Sequence, residues 1–164
     1  MLDQKTLREL LDYNPDTGVF IRKTRTANAI NVGDVAGYVN ACGYVIVSVQ
    51  NKPRLAHRLA WLYMYGSWPT KNLDHADGNR ENNAISNLRE CNQSQNVANT
   101  RLGRRNSSGF KGVSCIPGRK SPWRARITID YKERTIGYYK TQEDAYAAYC
   151  KAAAEAFGEF HRPK

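Results

Sequence analysis

No run of 18 apolar residues occurs anywhere in the 164-residue chain, so no segment reads as a membrane-spanning helix. The opening residues Met1-Leu2-Asp3-Gln4-Lys5 are polar, with no basic stretch leading into an apolar core, so no signal peptide is read there and the protein is expected in the cytoplasm. Cysteine is scarce. Cys42, Cys91, Cys115 and Cys150 lie far apart with no Cys-x-x-Cys pair, which argues against a zinc knuckle and a disulfide framework and predicts four free thiols. An aromatic-rich RNP-type strand for stacking single-stranded bases is also missing, which disfavours a structured-RNA binder. Acid is short as well: 15 Asp and Glu stand against 25 Lys and Arg, a formal charge of +10, so an anionic partner is expected, nucleic acid ahead of a membrane surface.

The charge is unevenly spread. Residues 1–100 hold 11 Lys or Arg against 9 Asp or Glu, whereas residues 101–164 hold 14 against 6, so the second part carries +8 of the +10. That asymmetry suggests a docking surface on a second small domain. The polar, basic stretch Arg101-Leu102-Gly103-Arg104-Arg105-Asn106-Ser107-Ser108-Gly109 suits a linker that can lie along a phosphate backbone. The expected organisation is a first domain over 1–100, a basic linker over 101–109 and a second domain over 110–160.

In the first part, Leu7, Leu10 and Leu11 predict a helix over Lys5 to Leu11, stopped by Asn14-Pro15-Asp16-Thr17-Gly18 and followed by a short strand at Val19-Phe20-Ile21. After a loop rich in Asn and Gly, residues 43–49 read as a strand, with a reversal at Gln50-Asn51-Lys52-Pro53 into another. Ala56 to Tyr65 places Leu59, Leu62 and Tyr63 at helical spacing before Gly66. Leu73 and Leu88 can anchor two short strands around a polar loop, and Asn92 can cap a helix through Asn96 and Asn99.

That polar loop holds one Asp-His pair among many asparagines. The run from Ala56-His57-Arg58-Leu59 through Asp74-His75, Asp77-Gly78-Asn79, Asn82-Asn83 and Ser86-Asn87-Leu88-Arg89 to Asn96 resembles the phage HNH homing-endonuclease family over roughly half the chain. The signature's first residue falls on His75, its second on Asn87 and its third on Asn96. The resemblance implies a ββα-metal (His-Me finger) core at about 55–100 in an α+β chain, and a DNA-cutting hydrolase encoded by a phage and acting in the host cytoplasm. His75, the only histidine inside the loop, is the expected general base, since an imidazole titrating near neutrality can take a proton from water. Mg²⁺ takes oxygen ligands from one or two protein groups and keeps the rest of its shell in water and phosphate. The resemblance assigns that ion, with Mn²⁺ as an alternative, to Asp74 and the Asn96 carbonyl, and has Asn87 brace the loop. A regular strand would point Asp74 and His75 to opposite faces, so a strand end or bulge is required there. His57 is expected to pack or touch phosphate, and His161 to be incidental.

Beyond the linker, residues 110–114, 123–129 and 134–139 read as three strands joined by turns at Pro117-Gly118 and Asp130-Tyr131, and Thr141 starts an amphipathic helix that Gly158 ends. Three antiparallel strands and one packed helix, beginning Lys111-Gly112-Val113 and passing through Ile136-Gly137-Tyr138-Tyr139-Lys140-Thr141, resemble the AP2 (AP2/ERF) DNA-binding domain over about 50 residues. In that family the sheet enters the major groove, which implies contacts from Lys111, Arg119, Trp123, Arg124, Arg126 and Arg134; Arg104 and Arg105 of the linker add phosphate contacts. The partner implied is double-stranded DNA, with no obligate protein partner and a monomer or weak dimer. The alternative is a sequence-specific DNA-binding transcription regulator whose HNH hairpin is non-catalytic.

Overall fold

In the computed structural model, which describes residues 2–25, 30–100, 102–103 and 106–162, the first element is set by Asp3. Its side chain accepts from the Thr6 backbone N–H at 2.8 Å and so caps helix α1 (Gln4–Leu10). The helix stops one residue short of the expected end because Leu11 already belongs to strand β1 (Leu11–Tyr13), antiparallel to β2 (Phe20–Arg22). Leu11 and Tyr13 are both buried with Asp12 exposed between them, so an alternating burial pattern overrides the helical one at this point. The turn between the two strands is held by the Asn14 side chain, which accepts from the backbone N–H groups of Asp16 and Thr17.

A three-stranded antiparallel sheet follows in the order β3 (Tyr38–Val39), β4 (Val45–Val49), β5 (Lys52–Leu55). The reversal between β4 and β5 is tight, with Gln50 and Asn51 both left-handed at φ 53° and 59°, the geometry whose twist matches a two-residue hairpin. Strand β3 was not expected: its two residues are both exposed and too few to show a period. Helix α2 (Ala56–Tyr65) buries Ala56, His57, Leu59, Ala60 and Leu62, and ends at Gly66 with φ 77°. Leu7, Leu11, Phe20, Val47, Leu59 and Leu62 are among the largest fully buried side chains, and these elements close around them. Strands β6 (Asn72–His75) and β7 (Leu88–Cys91) then form a separate antiparallel hairpin.

The chain divides into two compact units, Met1–Cys91 and Asn92–Lys164. The division falls before helix α3 (Gln93–Asn99), not at residue 100. Asn92 caps α3 in a reciprocal arrangement with Gln95, and the second unit grips the other end: the Lys111 ammonium donates to the carbonyls of Ala98 and Thr100. The stretch expected as a linker therefore follows an element that is already part of the second unit.

In that unit, β8 (Val113–Cys115), β9 (Trp123–Ile129) and β10 (Lys132–Tyr139) make an antiparallel sheet in the order β10-β9-β8, covered by helix α4 (Gln142–Phe157). Val113, Ala125 and Ile127 are buried from the sheet, and Ala145, Tyr149, Ala153 and Phe157 from the helix. The first strand starts at Val113 instead of Phe110, because the Phe110 ring packs against Tyr146 at 4.7 Å and its carbonyl accepts from Asn106 and Ser108. Chain class and element order are α+β. None of the four cysteines is in a disulfide, and among the described residues no helix is long and apolar enough to cross a membrane.

Gly18 joins the first turn to the polar loop. It sits at φ +74°, and a Cβ there would lie 2.3 Å from the Ala84 nitrogen and the Asn83 carbonyl carbon, both backbone. Gly18→Ala is expected to destabilise the first unit by at least about 1–3 kcal/mol, the range for overpacked sites, seen as a lower midpoint in urea unfolding.

Candidate functional site

The hairpin β6–β7 pairs Asp74 with Arg89 and His75 with Leu88, which puts the acidic residue and the histidine at the mouth of the loop 76–87. His75 is the last residue of its strand: the Gly78 N–H bonds back to the His75 carbonyl at 2.8 Å, turning the chain at once. This is the strand end expected where Asp74 and His75 adjoin.

A loop of this length leaves backbone groups without sheet partners, and its asparagines and Asp77 supply the partners instead. Asn87 does most. Its Oδ1 accepts from the Asp77 N–H at 3.0 Å, and its Nδ2 donates to Asp77 Oδ1 at 3.0 Å and to the Asn82 carbonyl at 2.8 Å. Asp77 also accepts from the Asn79 N–H at 2.7 Å and Asn82 Nδ2 at 2.8 Å. Although burial pushes the Asp77 carboxyl upward, these hydrogen bonds hold it below the ordinary value. One end of the loop is thereby fixed to the other.

His75 is 4% exposed and its Nε2 lies 3.2 Å from Asn83 Oδ1. The His57 ring stands edge-on to it at 5.1 Å and 86°, and Tyr44 lies 5.5 Å from His57 and 6.2 Å from His75. Arg80 covers the outer face of Tyr44 at 4.7 Å and donates to the Cys42 carbonyl. Burial lowers the pKa of His75 below the ordinary histidine value, and lowers His57, through burial and then the neighbouring His75, to about 3. Both rings are neutral at pH 7. Sequence reasoning left out Asn83, Tyr44 and Arg80, whose proximity to His75 depends on tertiary packing; the adjacent asparagines at 82 and 83 were the available signal.

Asp74 is 6% exposed and buried beside Arg89, whose Nε and Nη2 donate to its Oδ2 at 3.1 and 3.0 Å. A buried carboxylate needs such a partner. Asn96, the remaining residue of the signature, is on α3 in the second unit. Among the described residues no group of three or more His, Cys, Asp or Glu is arranged to hold a metal ion.

The second unit presents a different chemistry. On β9, Ala125 and Ile127 face α4, so Arg124, Arg126 and Thr128 take the opposite, open face of the sheet. Their cross-strand partners Tyr138, Thr135, Glu133 and Ser114 share it, and Arg119 lies over the Tyr138 ring at 4.0 Å. Glu133 holds both arginines, Arg124 at 3.7 Å and Arg126 in a closer pair. Three expected contact residues are elsewhere. Arg134 pairs with Ile127 and lines a groove of about 510 Å³ between sheet and helix, with Lys151 and Glu155. Trp123 has the parity of Ala125, on the helix side. Lys111 is engaged with the end of α3, and burial followed by the charge of Arg162 lowers its pKa. Arg104 and Arg105 lie outside the described residues.

Residues 54–98 match the HNH endonuclease family, a segment that begins in β5 and ends in α3. Over 127 residues, 77% of the chain, the sequence is 32% identical to an uncharacterized HNH endonuclease, L560, of Acanthamoeba polyphaga mimivirus. It is 36% identical over 64 residues, 39% of the chain, to Protein 3.8 of Escherichia phage T7. The chain spans 65% of the first relative and 52% of the second. A solved structure described as DNA binding and cleavage by the HNH homing endonuclease I-HmuI aligns at 25% identity and a TM-score of 0.43, covering 60% of this chain and 55% of that one. Residues 54–98 thus match an HNH endonuclease domain, and of these two viral relatives one is described as an uncharacterized HNH endonuclease.

The buried neutral His57 makes an acid-stability prediction. Its folded pKa of about 3 lies below the ordinary 6.5, so between those values the unfolded chain binds the extra proton. Its contribution is complete above pH 6.5 and shrinks as pH falls towards 3, at up to about 1.4 kcal/mol per pH unit. His57→Phe is expected to flatten the acid side of a thermal-melting profile against pH; a parallel profile would show that His57 is not the group responsible.

Proposed function

We propose that this chain is a metal-dependent DNA endonuclease of the HNH type, its first unit supplying the hydrolytic base and its second holding duplex DNA. The observation that carries the reading is His75, a buried neutral imidazole at a strand end, within the segment that matches the HNH endonuclease family. As base, it takes a proton from the water that attacks phosphorus; the bond to the 3′ oxygen breaks and that oxygen takes up a proton from solvent, giving 5′-phosphate and 3′-hydroxyl ends. Asn87 contributes by fixing both ends of the loop that presents this ring.

The reading takes one divalent ion with hard oxygen ligands, assigned through the resemblance to the Asp74 carboxylate, which Arg89 shares, and to the Asn96 amide carbonyl, the rest of the shell being water and substrate phosphate. Mg²⁺ is the natural occupant and Mn²⁺ the alternative. When bound, such an ion stabilises the charge on the phosphate and on the leaving oxygen.

The second unit is read as an AP2-like DNA-binding domain, supported by its three antiparallel strands, packed helix and open arginine-bearing face. Arginine suits bidentate reading of guanine edges in a major groove. The viral relatives support a phage or viral origin, with which a homing-type element working in the host cytoplasm is the reading, and one base per chain makes a monomer a nicking enzyme. The Arg89 bridge on Asp74 favours the second reading, a transcription regulator whose hairpin is only structural.

Supercoiled plasmid separates the two. Wild-type protein is expected to nick it with Mg²⁺ and not with EDTA, and His75→Ala to lower the rate by about 10²–10⁴ at unchanged DNA affinity. No metal-dependent cutting of plasmid or genomic DNA despite tight binding would leave the regulator. For the second unit, Arg124→Ala with Arg126→Ala is expected to weaken binding and reduce the log–log salt slope by about one per arginine that meets phosphate. Glu133→Gln, which releases both arginines, is expected to tighten binding; the opposite sign would remove the open face from the interface.

A further inference from the structure

Two arginines of the first unit converge on one indole. Arg54 is near the end of β5 and Arg58 in the first turn of α2, and their guanidinium carbons lie 5.3 and 6.0 Å from the centre of the Trp68 ring. The ring is itself held, since its Nε1 donates to the Leu2 carbonyl at 3.3 Å. Both arginines are half-buried, yet among the described residues neither makes a hydrogen bond or an ion pair, and Arg54 Nε is enclosed with no partner. By contrast, Arg22 donates to the Ser48 carbonyl at 3.0 Å and Arg89 pairs with Asp74.

Enclosed cations normally find an acceptor, and two like charges on one ring repel, a repulsion that the face of an indole offsets only in part. Stacking occupies the flat face of a guanidinium and leaves its N–H groups, which lie in the plane, able to bond an anion; the paired oxygens of a phosphate match that fork. We propose that Arg54 and Arg58, mounted on Trp68, form a phosphate-binding site through which the first unit holds the DNA backbone itself. All three residues fall in the segment that matches the HNH endonuclease family, and Arg58 follows His57, whose ring meets His75, so the cluster flanks the hairpin. Contacts of this kind fix position on a duplex and carry no sequence preference. That the anion is DNA rests on the nuclease reading above; that the cluster takes a phosphate does not.

The test uses the full chain in EDTA, so that binding is read without cutting. Across a salt series with a short duplex, Arg54→Gln with Arg58→Gln is expected to weaken binding and reduce the log–log slope by about two, and the matching pair of Lys substitutions, which still neutralise phosphate, to keep the wild-type slope. Trp68 emission gives a second readout, with Trp68→Phe identifying its share among the three tryptophans. Sodium phosphate, against chloride at equal ionic strength, is expected to change that emission, and duplex to change it at far lower concentration. An unchanged slope in the folded Gln variant, or equal losses of affinity in the Gln and Lys variants, would make the cluster mere packing and overturn the site. Should the Gln variant not fold, the emission titrations of wild type decide: no response to either anion overturns the site, and a response to phosphate without one to duplex overturns its assignment to DNA. The expected slopes and emission changes in a protein that cuts no DNA with Mg²⁺ sink the nuclease reading alone.

Discussion

The hydrogen bonds between the Asn87 amide and the Asp77 turn hold the candidate site together. Between β6 and β7 the chain runs through polar residues that no strand pairs with, and at its buried inner positions, Asn83 and Asn87, an amide cannot be left unsatisfied. Asn87 closes the loop by accepting from one end and donating to the other, Asp77 gathers Asn79 and Asn82 around it, and Asn83 ties the inner side to His75. The asparagine content of this stretch is therefore structural in origin. At the buried positions 83 and 87 an amide offers hydrogen bonds without carrying charge, where a carboxylate or ammonium would add the cost of desolvation. The contact between Gly18 and the backbone at Asn83 and Ala84 braces the same loop from the first hairpin.

The second unit relies on alternation instead. Period-2 placement sends Ala125 and Ile127 under α4 and Arg124 and Arg126 to the open face, so one strand both builds a core and displays charge. Gly112 allows the close approach that this packing needs: at φ +70° it lies against the Tyr149 ring, where any Cβ would collide. Glu133 between the two arginines holds their guanidinium groups in place while cancelling part of their field.

Much of this was legible in the sequence where local chemistry decides. The caps at Asn92 and Thr141, the ends of α2 and α4 at Gly66 and Gly158, and the turn at Asp130-Tyr131 each follow from residues within a few positions. Charge asymmetry could not tell which arginine faces which way: Arg134 and Arg126 look alike in composition, and only the strand register, with its shift between Thr135 and Gly137, puts Arg134 on the helix side. Lys111 was misplaced for the same reason, since the carbonyls it meets at Ala98 and Thr100 belong to a helix assigned to the other domain by sequence reading. The boundary moved because α3 docks through contacts remote in sequence with α4 and the turn Gly158–Phe160. His57 gave no sign of meeting His75, as a ring contact between a helix start and a strand end has no period.

Asp74 brings the electrostatics of the first unit to a point. Buried beside Arg89, its carboxylate is already compensated, and the pair as a whole is close to neutral. Removing Arg89 would leave a buried uncompensated charge, which is costly; keeping it means that the protein offers a cation only the residual field of a shared carboxylate. On the proposed reading, a divalent ion then depends for much of its coordination and charge balance on the phosphate of the DNA itself. The site would assemble with its substrate and hold little metal without it. Asp74, one residue along the strand, still favours the protonated form of His75, but burial of the ring outweighs it and leaves the net shift downward.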